Sequence, residues 1–471
     1  MREFTVPRVF LPIPPIKSSL HITHRVIDLD PRERTYPTNS NYFSTITRLC
    51  RFMSQAILAW GINKVTASQG SALFQHAFSS NGAVIMKFGQ FLSTRQDILP
   101  HEIIKRLNAL QDSVEHHTTI TDPLKIFQNE TGVALNQESL QGRIGAGCIA
   151  EVFKLKINDK YYALKIINPT VYANIHKETR IMALMARIFN VTRFYNEFQD
   201  NLLKQFDLRN EFQNTIQFRR NFKDFQVPTK LPFGISKVAT LLRGISYIFP
   251  KPIIATDKIL LTEYHEGDRV RQGSPLIGKS ALILFMKMVF TDGFVHSDLH
   301  PGNLSIIHGL QDGSLTSKLF KNHKTVIIYD SGLAQSFTKT QVKNLKDLIK
   351  ELLLKNKNSA ISLIINRNKM NNLTENEKKI FIRKTLKLWN NFETNNFDLK
   401  SALNTLFNIF VLSGSKVYLD ASYTNAVLSS IYVKSLVTNF GRINSAVAMS
   451  SGCMLDYMDI LIRGWLKQQN L

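Results

Sequence analysis

The chain has 471 residues, 44% hydrophobic and 20% charged, enough for two or three domains with a buried core and incompatible with a largely disordered chain. Lysine and arginine number 59 against 36 aspartates and glutamates, a formal charge of +23; a balance this basic points to an anionic partner. The excess is spread along the chain with many Asn, Ile and Phe, as an AT-rich coding sequence also produces; that origin is the preferred reading, an anionic membrane surface is the alternative, and no nucleic acid is expected.

Residues 1–40 are polar and Pro-rich and read as a leader or linker. Up to Val26, Arg2, Arg8, Lys17 and Arg25 face one acid, Glu3, which is the charge sense of a mitochondrial presequence. Pro7, Pro12, Pro14 and Pro15 would break an amphipathic helix there. Residues 41–135 form an expected helical extension: Ala83, Met86, Phe88, Phe91 and Leu92 recur at helical spacing around Lys87. A second helix is predicted over Glu102–Leu110, after Pro100.

From about Leu140 the period changes. Ala150–Leu155 and Tyr161–Ile167 are short apolar runs with a turn at Asn158–Asp159, a predicted hairpin. Helices are predicted over Val171–Phe189 and Asp207–Phe218, then a strand over Lys258–Tyr264 ending in His265-Glu266-Gly267, a hinge. Residues 136–266 thus make a small sheet lobe. Residues 267–471 read as mostly helical, the apolar runs Ala281–Phe290 and Leu406–Leu412 included. A second strand pair, Leu304–His308 and Thr325–Tyr329, brackets a surface insertion at Gly309–Lys324. No run reaches the ~18 apolar residues of a membrane span, so a soluble or peripheral chain is expected. Cys50, Cys148 and Cys453 are too few and too scattered for a disulfide framework or a zinc site.

The chemistry concentrates in four segments. His296-Ser-Asp-Leu-His300-Pro-Gly-Asn303 follows an apolar helix and matches the H-x-D-x-x-x-x-N loop of phosphotransfer enzymes. Asp298 supplies a carboxylate near an acceptor oxygen, Asn303 supplies an amide oxygen for Mg²⁺, and Pro301-Gly302 supports the turn between them. Val326–Gly332 is a strand ending in Asp330-Ser-Gly, a second Mg²⁺-binding position in which Ser331 replaces the usual Phe. Tyr162-Ala-Leu-Lys165 puts a lysine on a strand where it can face phosphate oxygens. Before it, Gly145-Ala146-Gly147-Cys148 forms a loop whose backbone can approach phosphates. In this order, on these elements, the set implies a nucleotide site. Cys148 reads as a small loop residue rather than a reactive thiol, and His296 as the residue that orients the loop. Twelve basic and four acidic residues in Lys343–Lys387 read as a solvated helical face.

Two further segments, Lys87-Phe-Gly-Gln90 and Gln205-Phe-Asp207-Leu-Arg-Asn-Glu211-Phe-Gln-Asn214, give K-x-G-Q and an E-x-D-like string followed by E-x-x-N. With the glycine loop and His296–Asn303, the chain resembles the aarF-domain (UbiB-like) atypical kinases, most closely the mitochondrial subgroup called aarF domain-containing kinase two, over roughly Gly82–Phe337. The resemblance implies an α+β protein-kinase-like fold, with a small β-rich N-lobe, a large helical C-lobe and an N-terminal helical extension carrying K-x-G-Q across the active site. It implies an Mg²⁺- and ATP-dependent kinase or ATPase supporting ubiquinone (coenzyme Q) synthesis in mitochondria, with coenzyme Q biosynthetic proteins as partners. Lys165 would contact phosphates and Glu211 would pair with it. Asp298 would take the catalytic-base position, and Asn303 and Asp330 would hold Mg²⁺. Lys87, Gln90 and Asp207 would form a network near the phosphates. Glu178 competes with Glu211, since it stands on the helix after Lys165 where an ordinary kinase carries the ion-pair glutamate. Gln205 stands where the family has Glu, which with Ser331 keeps a second reading open: a catalytically weak scaffold that uses nucleotide binding as a switch.

Overall fold

A computed structural model describes residues 25–26, 42–93, 103, 106–107, 119–188, 192–223, 225–227, 245–269, 284–285, 287–299, 301–308, 324–353, 356–367 and most of 374–386. The N-terminal extension consists of α1 (Tyr42–Val65), α2 (Ala67–Ser79) and α3 (Ala83–Ser93). Gly70 lets α1 and α2 cross closely: a Cβ there would stand 2.3 Å from the Asn63 backbone. Of the helix expected at Glu102–Leu110, Ile103, Arg106 and Leu107 are described and helical, with Ile103 and Leu107 fully buried.

Next comes α4 (Pro123–Thr131), capped by the Asp122 carboxylate, which accepts from the Lys125 N–H at 2.9 Å. Leu124 and Phe127 of α4 share a core with Phe153, Leu155, Leu164 and Ile166 of the sheet. The last part of the segment assigned to the helical extension therefore packs with the sheet lobe. Glu130 completes this attachment by accepting from Lys258 Nζ at 2.8 Å and Thr256 Oγ1 at 2.9 Å.

The main sheet has strand order β1-β7-β8-β4-β3-β2. Its members are β1 (Arg25–Val26), β2 (Leu140–Ala146), β3 (Ala150–Ile157), β4 (Lys160–Ile167), β7 (Pro252–Ala255) and β8 (Ile259–Glu263). The β3–β4 turn is Asn158–Asp159, both at positive φ (48° and 59°), the two-residue geometry whose twist suits a hairpin. β2 was not expected: none of its residues is buried and its pairing with β3 shifts register at Gly142 and Gly145, so it carries no clean alternation, and the glycine loop grows from its end. β1 lies inside the expected leader and pairs parallel with β7 at the sheet edge, Arg25 opposite Ile254.

After β4, Asn168 accepts from the Thr170 N–H at 3.0 Å, and Pro169 begins α5 (Pro169–Ile188). A helix missed in the sequence, α6 (Thr192–Gln205), follows; Tyr195, Phe198 and Leu202 are its buried stripe. Phe198 packs against Phe88 of α3, with ring centroids 5.0 Å apart. Asp207 then caps α7 (Leu208–Phe222). Leu208 and Phe212 of α7 belong to the core shared with the extension, whereas Phe218 and Phe222 belong to the second lobe. One helix thereby joins both lobes.

A second sheet, order β5-β6-β12-β11-β9, contains β5 (Gln226–Val227), β6 (Ile245–Ile248), β9 (Asp268–Arg269), β11 (Leu304–His308) and β12 (Lys324–Ile328). Gly267 of the expected hinge lies tight on it: a Cβ would sit 2.9 Å from Ile327 Cδ1 and 3.1 Å from Ser305 Cβ, so a side chain would push the hinge off the second lobe. The apolar run Ala281–Phe290 ends in a π-helical turn, Met288–Asp292, followed by β10 (Phe294–His296), which pairs with β13 (Ala334–Ser336). Helices α8 (Lys339–Leu353) and α9 (Lys357–Arg367) come next. The insertion at 309–323 and the run Leu406–Leu412 lie outside the described residues. The chain is thus α+β, a sheet lobe joined to a lobe of mixed helix and strand.

Candidate functional site

Lys165 occupies the middle of β4, opposite Val152 of β3 and Leu260 of β8. Its ammonium donates to Glu211 Oε2 at 2.8 Å and lies 3.1 Å from Asp330 Oδ1. Burial works against the charge on Lys165, but the Asp330 and Glu211 carboxylates outweigh it and hold its pKa above the ordinary lysine value. The two acids sharing this one cation fare differently. Burial pushes Glu211 up to about 7, against the pull of Lys165 and with the repulsion of Asp330. Burial also raises Asp330, but Lys165 and Lys87 outweigh it and hold the carboxyl well below the usual range. Asp330 keeps 43% of its side chain exposed, so solvent tempers that effect.

The choice between Glu211 and Glu178 has a geometric answer. Glu178, also buried, pairs with Arg48 of α1 rather than with Lys165. Glu211 sits in the first turn of α7, and Asn214, one turn on, donates through Nδ2 to the Ser331 carbonyl at 2.9 Å. The E-x-x-N spacing thus puts two side chains on one helix face, where they meet Lys165 and the turn after Asp330. Asp330 is at φ 52°, and a Cβ on Gly332 would stand 3.1 Å from Asp330 Oδ1 and 3.5 Å from Glu211 Oε2. The glycine leaves the carboxylates their space. Ser331 is buried, 2% exposed.

The His296–Asn303 loop is tied from within. His296, 1% exposed, lies with Nε2 3.2 Å from the Tyr329 carbonyl, while its Nδ1 accepts from the Asp298 N–H at 3.2 Å. That pairing requires the proton on Nε2, and it links the loop to the strand that delivers Asp330. Asn303 Nδ2 donates to the Asp298 carbonyl at 3.0 Å, and the Tyr329 N–H donates to the Asn303 carbonyl at 2.9 Å. The Asp298 backbone and the Asn303 amide are therefore fixed relative to each other and, through Tyr329, to the strand that ends at Asp330. His300 lies outside the described residues.

The glycine loop closes with the Gly147 N–H donating to the Ala150 carbonyl at 2.8 Å. A Cβ at Gly145 or Gly147 would meet only ordinary contacts, 3.8 Å to Val152 Cβ and 3.6 Å to the Ala150 oxygen. The fold itself does not require these glycines, so Ala146 differs little from its neighbours in what the backbone demands. Burial pushes the Cys148 thiol up, Lys87 pulls it down, and Asp298 and Asp330 add to the rise, which keeps it a neutral thiol. The same interactions bring Lys87, Cys148, Asp298 and Asp330 to one place, with α3 supplying Lys87 from outside both lobes.

Gln90 stands one turn from Lys87 on α3, and its carbonyl accepts from Ser93 Oγ at 2.7 Å. Asp207 serves its own helix end. Its carboxylate accepts from the Arg209 N–H at 3.1 Å and from the Arg209 guanidinium at 2.8 Å through both oxygens. This caps the helix that bears Glu211. Gln205 turns its amide back towards the Asn201 carbonyl, at 3.5 Å.

The donor set fits a hard cation held jointly with phosphates: Asp330 and Asn303 offer oxygens, and among the described residues no group of three or more His, Cys, Asp or Glu forms a metal cage of its own.

The chain is similar to several known proteins. Residues 109–364 match the model of the ABC1 atypical kinase-like domain. A "Probable protein kinase UbiB" from Tolumonas auensis is 29% identical over 268 residues, 53% of this chain and 47% of that protein. Its counterpart in Aeromonas hydrophila is 28% identical over 276 residues, covering 54% and 48%. The chain spans about half the length of the curated relatives it matches. Among solved structures, a Rv3197–erythromycin complex from Mycobacterium tuberculosis aligns with 16% identity and a TM-score of 0.46, over 80% of this chain and 94% of that one. The Rio2 kinase–ADP/Mg²⁺–phosphoaspartate complex from Chaetomium thermophilum aligns at 14% identity and a TM-score of 0.25, covering 53% and 73%. With its family match covering more than half of its length, the chain belongs to the ABC1 atypical kinase-like, UbiB-related family.

Proposed function

We propose that this chain is an Mg²⁺- and ATP-dependent atypical kinase or ATPase of the UbiB type, supporting ubiquinone or related lipid metabolism. The observation that carries the reading is the Lys165 ammonium held between Glu211 and Asp330, 2.8 Å and 3.1 Å away, next to the tied Asp298–Asn303 loop. A bound Mg²⁺ would neutralise phosphate charge; Asp330 and Asn303 are the residues to hold it. Glu211 orients Lys165 towards phosphate oxygens. Asp298, fixed through its own backbone to His296 and Asn303, accepts a proton from the attacking hydroxyl or water. Lys87 adds a second positive charge from α3. The names of the relatives support the link to ubiquinone, and the basic N-terminal charge supports a mitochondrial setting, where coenzyme Q biosynthetic proteins are the expected partners.

One observation favours a second reading, a nucleotide-operated switch with little turnover. Asp330 Oδ1 already lies 3.1 Å from the Lys165 ammonium, so a cation would compete with that ammonium for the charge of the same carboxylate. The two readings separate on Asp298→Asn. Under the kinase reading, Mg²⁺-ATP raises the thermal midpoint of both wild type and variant, and phosphate release falls about a hundredfold or more in the variant alone. Stabilisation of both with equal, negligible release supports the switch. No stabilisation by any nucleotide contradicts both.

A further inference from the structure

Strand β2 is held weakly by its own packing. A strand with no buried residue gains little hydrophobic energy from its placement, and such segments open most easily. Its pairing with β3 is also irregular, as the register shifts at Gly142 and Gly145 show. The glycine loop starts from this strand. Glycines at two of the loop's four positions widen the range of backbone conformations open to it. The far side of the loop is firm. Ala150, Phe153 and Leu155 of β3 are buried, and the Asn168 N–H donates to the Ile149 carbonyl at 2.9 Å.

One side chain spans the weak side and the firm one. Glu151, 3% exposed, stands opposite Ala146 of β2 and Ile166 of β4. Its Oε1 accepts from the Ile120 N–H at 2.9 Å, and its Oε2 accepts from Arg143 Nη1 at 3.2 Å. Ile120 is buried in the core that Leu124 and Phe127 of α4 share with the sheet. Arg143 belongs to β2 and keeps 38% of its side chain exposed. One carboxylate oxygen is thus fastened to the rigid face of the lobe, and the other holds the strand that leads into the loop. A buried carboxylate persists where hydrogen bonds occupy it; here those bonds go to the two ends of the loop's support, while Lys165 has its own acids in Glu211 and Asp330.

We infer that Glu151 and Arg143 are a positioning pair that sets the affinity of the site for the phosphates of its nucleotide. The inference rests on the nucleotide reading and adds to it the residues that hold the glycine loop ready. With the pair intact, the loop N–H groups are in place before phosphate arrives. Without it, the loop is ordered only on binding, and affinity falls by the fraction of time it spends in place. Neither residue takes part in the chemistry at Asp298 and Asp330, so turnover at saturation is unaffected.

The test is a double-mutant cycle in the full chain, with Arg143→Gln, Glu151→Gln and the two combined. Glutamine at 151 keeps a carbonyl oxygen for the Ile120 N–H. The measurements are the dissociation constant of Mg²⁺-ATP by calorimetry, phosphate release at saturating ATP, and the thermal midpoint. Each single variant is expected to bind about fivefold more weakly, and the double variant no more weakly than either, because both act through one contact. Phosphate release at saturation is expected within about twofold of wild type, and midpoints within about 2 °C, since the pair is open to solvent on the arginine side. Wild-type affinity in both single variants would overturn the inference and leave the nucleotide reading standing; a wild type that does not bind ATP would overturn both. Additive losses, about 25-fold in the double variant, would show that one residue meets the nucleotide by itself. Affinity, release and midpoint falling together would reduce the pair to a fold contact. Either result also overturns the inference.

Discussion

Lys165→Met is expected to abolish ATP turnover and to destabilise the fold together. Glu211 is 7% exposed in its side chain and 2.8 Å from the lysine it would lose. Removing the cation leaves this buried carboxylate facing Asp330, and breaking a buried pair in this way costs about 3–5 kcal/mol. Glu211 would then take up a proton at neutral pH. Adding Glu211→Gln removes the cost of protonating that buried carboxylate, so the double variant recovers most of the thermal midpoint while turnover stays absent. Equal midpoints for wild type and Lys165→Met would contradict the shared-cation geometry.

The same carboxylates set a pH signature. Glu211 rises from an ordinary 4.5 to about 7. Between those values the folded chain keeps a proton that the unfolded chain has released, so this group's contribution to stability is full below about 4.5 and is lost as pH rises to about 7. Asp330, held below its ordinary 3.8, acts in the opposite sense: its contribution is present above 3.8 and lost as pH falls further. Glu211→Gln should therefore remove the decline in thermal midpoint across the window from 4.5 to 7 and leave the acid limb. An unchanged decline would show that another group titrates there. Since the two acids share one lysine, the window belongs to the pair.

Lys287→Met is the second change with a large expected effect. Lys287 and Asp292 are 7% and 8% exposed in their side chains. The ammonium donates to both Asp292 oxygens, at 2.6 and 2.8 Å, and to the Asn221 carbonyl at 2.8 Å. It lies 4.4 Å and 5.1 Å from the ring centroids of Phe222 and Phe225, which adds cation–π attraction. The five-residue reach from Lys287 to Asp292 uses the wider π-helical turn, and β10 and the His296 loop start just after it. Methionine would leave Asp292 buried without its cation, at a cost of about 3–5 kcal/mol. Turnover should drop as the loop loses its anchor. Lys287→Met/Asp292→Ala should recover part of the midpoint, and an unchanged midpoint in the single variant would show that the pair holds nothing in place.

What was legible in the sequence follows from how far each interaction reaches along the chain. The strands flanking Lys165, the turn at Asn158–Asp159 and the loop from His296 to Asn303 are set by local spacing, and they stood out. The partner of Lys165 depends on contacts across tens of residues. Glu178 and Glu211 both sit on helices, and only the family string singled out Glu211. The reason Glu178 is occupied, Arg48 on α1 130 residues earlier, has no local signature. Asn214 was visible as part of E-x-x-N, but its role in holding the carbonyl after Asp330 needs the fold. Asp207 was visible through its motif, which places it in a phosphate network; that it also caps the helix bearing Glu211 shows only in the fold. Helix α6 carried a readable stripe in Tyr195, Phe198 and Leu202 that the eye passes over between two stronger helices.

The most direct test of the nucleotide site is phosphate release from ATP by the full chain with Mg²⁺, beside Asp330→Asn. Asparagine keeps the size of the side chain and removes the charge that Lys165 and the cation both need. The account predicts release by wild type and a fall of about a hundredfold or more in Asp330→Asn. Release by wild type no faster than by Asp330→Asn would contradict it.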